Sequence, residues 1–74
     1  MKKENFLQDL RRGLQGVPKR EQEKQLAFYA KLIDEKMADG RSEREAVAEL
    51  DGPLTLALKI QSELLAQALK NNSQ

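Results

Sequence analysis

The residues best equipped for chemistry crowd around Gly40. Asp34, Glu35, Asp39, Glu43 and Glu45 place five carboxylates within twelve positions. A calcium loop needs oxygen ligands at alternate positions, a glycine at the sixth and a closing glutamate at the twelfth. Counting from Asp34 puts Asp39 where the glycine belongs, and counting from Glu35 puts Ala46 at the closing position. Both registers fail, so these acids read as helix caps and a solvated face. Ser42, Thr55 and Ser62 are hydroxyl nucleophiles in type, but the chain has no histidine to activate them. A Ser–Lys pair would need a pocket that so short a chain is poorly placed to build. Tyr29, the one tyrosine, falls on an apolar stripe and reads as packing. The four glycines are scattered at helix ends rather than gathered into a phosphate loop. The expectation is a non-enzymatic protein with no catalytic, cofactor-binding or metal-binding residues.

Nucleic-acid binding is the remaining chemical candidate. Ala48 and Gly52 imitate the turn of a helix-turn-helix spanning 42–62. The helix that would enter the groove begins Pro53-Leu54-Thr55-Leu56-Ala57-Leu58, whereas base edges are read by Arg, Lys, Asn or Gln. Lys2-Lys3, Arg11-Arg12 and Lys19-Arg20 could touch phosphate, yet thirteen basic residues face twelve acidic ones, and a net charge of +1 gives no long-range pull. A small DNA-associated regulator with a degenerate helix-turn-helix is therefore the alternative, not the leading reading.

Helical periodicity runs through the chain, and no segment is rich in β-branched residues, so the class is all-α, a compact three- to four-helix bundle. Phe6, Leu7, Leu10 and Leu14 define a first helix over 4–14. Val17-Pro18 closes it, and Pro18 suits the first turn of a second helix over 18–39. Leu26, Tyr29, Ala30, Ile33 and Met37 form that helix's inward face. Asp39-Gly40 stops it through a left-handed glycine, and Ser42 with Glu45 makes a capping box for a third helix over 43–50, whose Ala46, Val47 and Leu50 point inward. Pro53 opens a fourth over 53–70. Residues 1–70 form one domain and 71–74 a disordered tail. The lack of cysteine fits a reducing compartment, the basic start lacks the apolar run of a signal peptide, and the window Leu54–Leu69 is too polar and short to span a bilayer. The expected location is the cytoplasm.

The last helix carries more apolar surface than one core face can use. Leu56, Ala57, Ile60 and Leu64 make one stripe; Leu54, Leu58, Leu65 and Leu69 make a second, rotated by about a third of a turn or more. Leu54-Leu58-Gln61-Leu65-Ala68 has the 4-3-4-3 spacing of a short coiled-coil seam, with Gln61 as a polar interruption. Phe28 and Leu32 lie off the main stripe of the second helix. Either the bundle wraps the last helix on both sides, or some leucines are merely exposed, or these residues meet a protein partner. The size of the chain favours the third reading. Leu54, Leu58, Gln61, Leu65, Leu69, Phe28 and Leu32 are the candidate contact residues, for a partner helix or for a homodimer.

Phe6-Leu7 with Leu10 and Leu14, Val17-Pro18, Phe28-Tyr29, Ile33-Asp34, Gly40-Arg41-Ser42-Glu43 and Leu50 through Pro53, taken in order, resemble the bacterial HAAS signalling domain over Met1 to Ile60. The resemblance implies a compact helical domain at the cytoplasmic N-terminus of proteins whose later part is often membrane-embedded, frequently encoded beside a PadR-like transcription regulator. It implies no catalytic residues. A membrane segment would lie outside this sequence, which is then an excised domain or a short soluble relative. Two departures stand out. The family usually reads Leu-Gly-Asp-Pro at the third turn, where this chain has Leu50-Asp51-Gly52-Pro53. Asp51 is then expected in the left-handed position and Gly52 at the N-cap, in a looser or re-registered turn. Ala30-Lys31 stands where the family tends to be acidic, so no acidic binding surface is expected there.

Overall fold

The computed structural model describes residues 1–72. Four helices follow one another: α1 (Lys3–Gly13), α2 (Lys19–Ala38), α3 (Glu43–Ala48) and α4 (Pro53–Asn72). The chain is an all-α bundle with α1 at its centre. α4 packs on α1, α2 and α3 pack on α1 and on each other, and the backbones of α4 and α2 stay apart. Phe6, Leu10 and Leu14 of α1 and its C-cap form the middle of the core, completely or almost completely buried. Leu26 and Ile33 from α2, Ala46 and Val47 from α3, and Leu56, Ala57 and Ile60 from α4 close around them, with Leu7, Val17, Tyr29, Leu50 and Leu64 packed at the edge. Each fully buried side chain of this size contributes on the order of 1.5–3 kcal/mol by leaving water.

The α2–α3 turn forms as its sequence predicts. Gly40 adopts φ +104°. Its N–H donates to the carbonyl of Met37 (3.0 Å), and the N–H of Arg41 donates to that of Lys36 (3.3 Å), the paired bonds of a Schellman cap. Ser42 Oγ accepts from the N–H of Glu45 (3.1 Å) while Glu45 Oε1 accepts from the N–H of Ser42 (2.9 Å). These bonds hold the Glu45 carboxyl below its ordinary range, the backbone N–H contributing most.

Several boundaries differ from expectation. Pro18 is the N-cap of α2 rather than its first helical residue, and its carbonyl accepts the first helical bond, from Gln22. α3 ends at Ala48, two residues early, with Glu49 as its C-cap. Asp51 does not take a left-handed conformation, since no residue other than glycine among those described has positive φ. Ending α3 early leaves enough chain to turn without one. Gly52 has negative φ as well, and its carbonyl accepts from the N–H of Leu56 (2.9 Å), so it serves as the start of α4. Met37 is 39% exposed rather than inward, because the core ends before the last turn of α2. α4 continues through Asn72 and takes in the first two residues of the expected tail; Ser73 and Gln74 lie outside the described residues.

A helix of 20 residues is about 30 Å long, well beyond the 11-residue α1 on which α4 packs. The described residues from Leu65 to Asn71 are all exposed, so roughly the last two turns of α4 project past the bundle. The radius of gyration, 13.7 Å, exceeds the ~11 Å of a compact chain of this length for the same reason.

Candidate protein-contact surface

Two side-chain amides close the end of α1: Gln61, the polar interruption of the outer seam, which also fixes where α4 lies, and Gln22. Gln61 Nε2 donates to the carbonyl of Gly13 (2.6 Å), the last residue of α1. A side-chain carbon on Gly13 would come within 2.6 Å of Ala57 Cβ and 3.5 Å of Leu54 Cδ2, so the two helices touch through the bare glycine backbone. Gln22 Nε2 donates to the carbonyls of Leu14 (3.0 Å) and Val17 (2.8 Å), closing the end of α1 from the α2 side. Orphan carbonyls at a helix C-terminus need such partners. On its opposite side α4 looks toward α2, where Lys59 and Glu63 act electrostatically on Tyr29. Burial, then the Glu63 charge, raises the Tyr29 phenol above its ordinary value.

This placement leaves the second leucine stripe outside. Leu54, Leu58, Leu65 and Leu69 are 64%, 68%, 63% and 63% exposed, while Leu56, Ala57 and Ile60, on the same helix, are buried. Beside the stripe, a shallow groove of mixed polarity, formed by Gln15, Gly16, Val17, Pro18, Gln61, Leu64 and Leu65, extends toward the α1–α2 loop. Gln61 sits at the edge of the stripe, half-buried and tied inward to Gly13.

Phe28 and Leu32 form a different patch. Phe28 is 59% exposed and stacks edge-on against Tyr29, with ring centroids 5.0 Å apart. Leu32 is half-buried beside it. Together with Lys31 and Glu35 they line a shallow cleft to which α4 contributes no residue. The seven candidates are therefore not one surface: four leucines run along α4, Gln61 borders them, and two residues stand apart on α2.

The charged side chains serve the turns. Glu49 accepts from Lys36 Nζ (2.8 Å) and from Arg41 Nε, which draws α3 to the end of α2 and holds the Glu49 carboxyl below its ordinary range, Lys36 contributing most. Lys59 Nζ donates to Asp51 Oδ2 (2.7 Å), which raises the Lys59 ammonium above its ordinary value. Lys3 donates through Nζ to Asp34 (2.8 Å) and through its backbone N–H to Glu43 (3.2 Å), so α3 caps the start of α1. Asp34, Glu43 and Glu49 are thus each engaged by a separate basic or backbone donor rather than aimed at a common point. Among the described residues no group of three or more Asp or Glu could hold a metal ion.

The family model for HAAS matches residues 5–58, most of the chain. This chain belongs to the HAAS family. The match covers α1, α2, α3 and the opening of α4, so this HAAS domain carries Leu54 and Leu58 within the matched region and Leu65 and Leu69 beyond it. Neither a curated protein nor a solved structure shows significant similarity to the chain. No helix among the described residues is long and apolar enough to cross a membrane.

Proposed function

We propose that this HAAS domain is a non-enzymatic protein-interaction module acting in bacterial signalling, with the outer face of α4 as its contact surface. The observation that carries this reading is the exposure of Leu54, Leu58, Leu65 and Leu69 on one side of a helix whose other side is already in the core. Apolar residues gathered on one face of a helix mark an interaction site more than the same residues scattered singly. Family membership supports a signalling or interaction role, and the resemblance supports a cytoplasmic setting beside a membrane protein or a PadR-like regulator. The DNA-associated reading gains nothing from the geometry, since the exposed positions at the start of α4 are Leu54, Thr55, Leu58 and Lys59.

The test is an allele carrying Leu58→Glu and Leu65→Glu in the host chromosome, compared with a deletion by transcript profiling. The double substitution should reproduce the deletion profile at undiminished protein level. An allele indistinguishable from wild type, in a strain where the deletion has an effect, would refute the contact surface. Gel shifts at low salt address the alternative: retarded DNA whose affinity falls steeply with added salt would favour it.

A further inference from the structure

The outer stripe of α4 reads the same from either end. Leu54 and Leu69 are equidistant from the midpoint between Gln61 and Ser62, and so are Leu58 and Leu65. All four are nearly two-thirds exposed. We infer that the occupant of this stripe is the same stripe of a second copy, laid antiparallel across a two-fold axis at Gln61-Ser62. This deepens the proposed contact surface and rests on it. In that arrangement Leu54 faces Leu69 of the other copy, Leu58 faces Leu65, and the polar centre meets its own equivalent.

Three further observations favour a second copy. First, the stripe bears no charge: at about 100° per residue, Lys59, Glu63 and Lys70 fall more than a quarter-turn from its centre line. A two-fold contact sets a patch against itself, so a charged stripe would risk meeting its own sign, and a neutral one avoids this. The flanking cations of a helix that lies on anionic lipid are missing, since one glutamate stands among two lysines on the polar side of α4. Second, the residues from Leu65 to Asn71 are all exposed and project beyond the body. Two turns of helix gain little stability in water alone. Antiparallel pairing lays each projecting half along the Leu54–Leu58 half of the other copy, whereas parallel pairing would leave both projecting halves with only each other. Third, four leucines at this exposure, with the small residues between them, bury on the order of 500 Å² per copy, about 1,000 Å² in all, which reaches the lower limit of specific association. A contact of this size fits a weak dimer whose population depends on chain concentration.

The chain contains no cysteine, so introduced thiols report orientation directly. Leu54→Cys and Leu69→Cys chains, each checked for native helicity, are oxidised separately and as a mixture. The two positions lie about 22 Å apart along one helix, beyond disulfide reach within a chain. The antiparallel dimer predicts a heterotypic cross-link in the mixture at least tenfold above either homotypic one. Sedimentation velocity over roughly 10–500 µM should show wild-type chain passing from monomer to dimer and the Leu58→Glu, Leu65→Glu chain remaining monomeric. Homotypic cross-links at Leu54→Cys would overturn the inference in favour of a parallel pair. A wild-type monomer throughout would overturn it as well: flotation with phosphatidylglycerol vesicles would then assign the stripe to lipid, and absence of flotation would assign it to a different protein. In those last cases a functional defect of the Leu58→Glu, Leu65→Glu allele keeps the contact surface and removes only the second copy.

Discussion

Gly13 and Ala57 meet where α1 crosses α4, at a distance that leaves no room for a side chain on the glycine: a Cβ there would lie 2.6 Å from Ala57 Cβ. Alanine at an ordinary helical glycine stabilises by up to about 1 kcal/mol. At Gly13 the contact reverses the sign, and Gly13→Ala should lose about 1–3 kcal/mol in urea unfolding. Adding Ala57→Gly should recover part of the loss by reopening the gap. A stabilised Gly13→Ala chain would show that α1 and α4 are not in close contact.

The same crossing explains what could and could not be read from the sequence. The turn between α2 and α3 was legible because its chemistry is local: Gly40 must reach positive φ, and Ser42 and Glu45 are three residues apart and cap each other. The two stripes of α4 were legible because helical spacing sets which leucines share a face. Gly13 read only as one of the glycines at helix ends, since its real neighbour, Ala57, is 44 positions away. Gln22 gave no signal at all, because a glutamine in a helix is ordinary until a carbonyl from another element reaches it. Gln61 read as a polar interruption of the outer seam, with no sign of the Gly13 carbonyl its amide reaches. Asp51 was misjudged because the expectation kept α3 running to Leu50; once the helix stops at Ala48 the turn needs no left-handed residue.

Gln22 offers a second test of the loop it closes. Its amide serves two carbonyls, Leu14 and Val17, that have no other side-chain donor in this arrangement. Gln22→Leu keeps the volume and removes both bonds, and should cost about 1–3 kcal/mol in the same unfolding assay. Hydrogen exchange should quicken at the N–H of Val17, which donates to the Leu14 carbonyl (3.0 Å). An unchanged midpoint would mean that water serves these carbonyls equally well.

Two carboxyls tie stability to pH at the α2–α3 turn. Glu45 is lowered by its bonds to Ser42, and Glu49 by Lys36 first and Arg41 after it, each from an ordinary value of 4.5. A carboxyl whose folded value is depressed binds more protons when unfolded, so its contribution is present above pH 4.5 and is lost as pH falls through the folded value. Carboxyl NMR titration should place both midpoints below 4.5. Ser42→Ala should return Glu45 only part of the way, because the Ser42 backbone N–H still donates to its carboxylate, and should leave Glu49 displaced. Two midpoints at the ordinary value would remove the cap and the ion pairs from the solution structure.

Leu56 and Leu58 are two positions apart on α4, yet one is 7% exposed and the other 68%. Truncation at Leu56 opens a cavity among the core side chains, and Leu56→Ala should cost about 2–5 kcal/mol. Leu58→Ala removes surface that water already reaches, so its cost should stay within about 0.5 kcal/mol. The comparison must be made at low chain concentration, because self-association through the outer stripe adds a stabilising term that grows with concentration and, of these two residues, involves only Leu58. At high concentration the two substitutions should therefore converge, with Leu58→Ala losing the dimer's contribution while Leu56→Ala retains it. Equal losses at the dilute limit would mean that α4 is enclosed on both sides, and the separation of its faces into an inner and an outer stripe would fall.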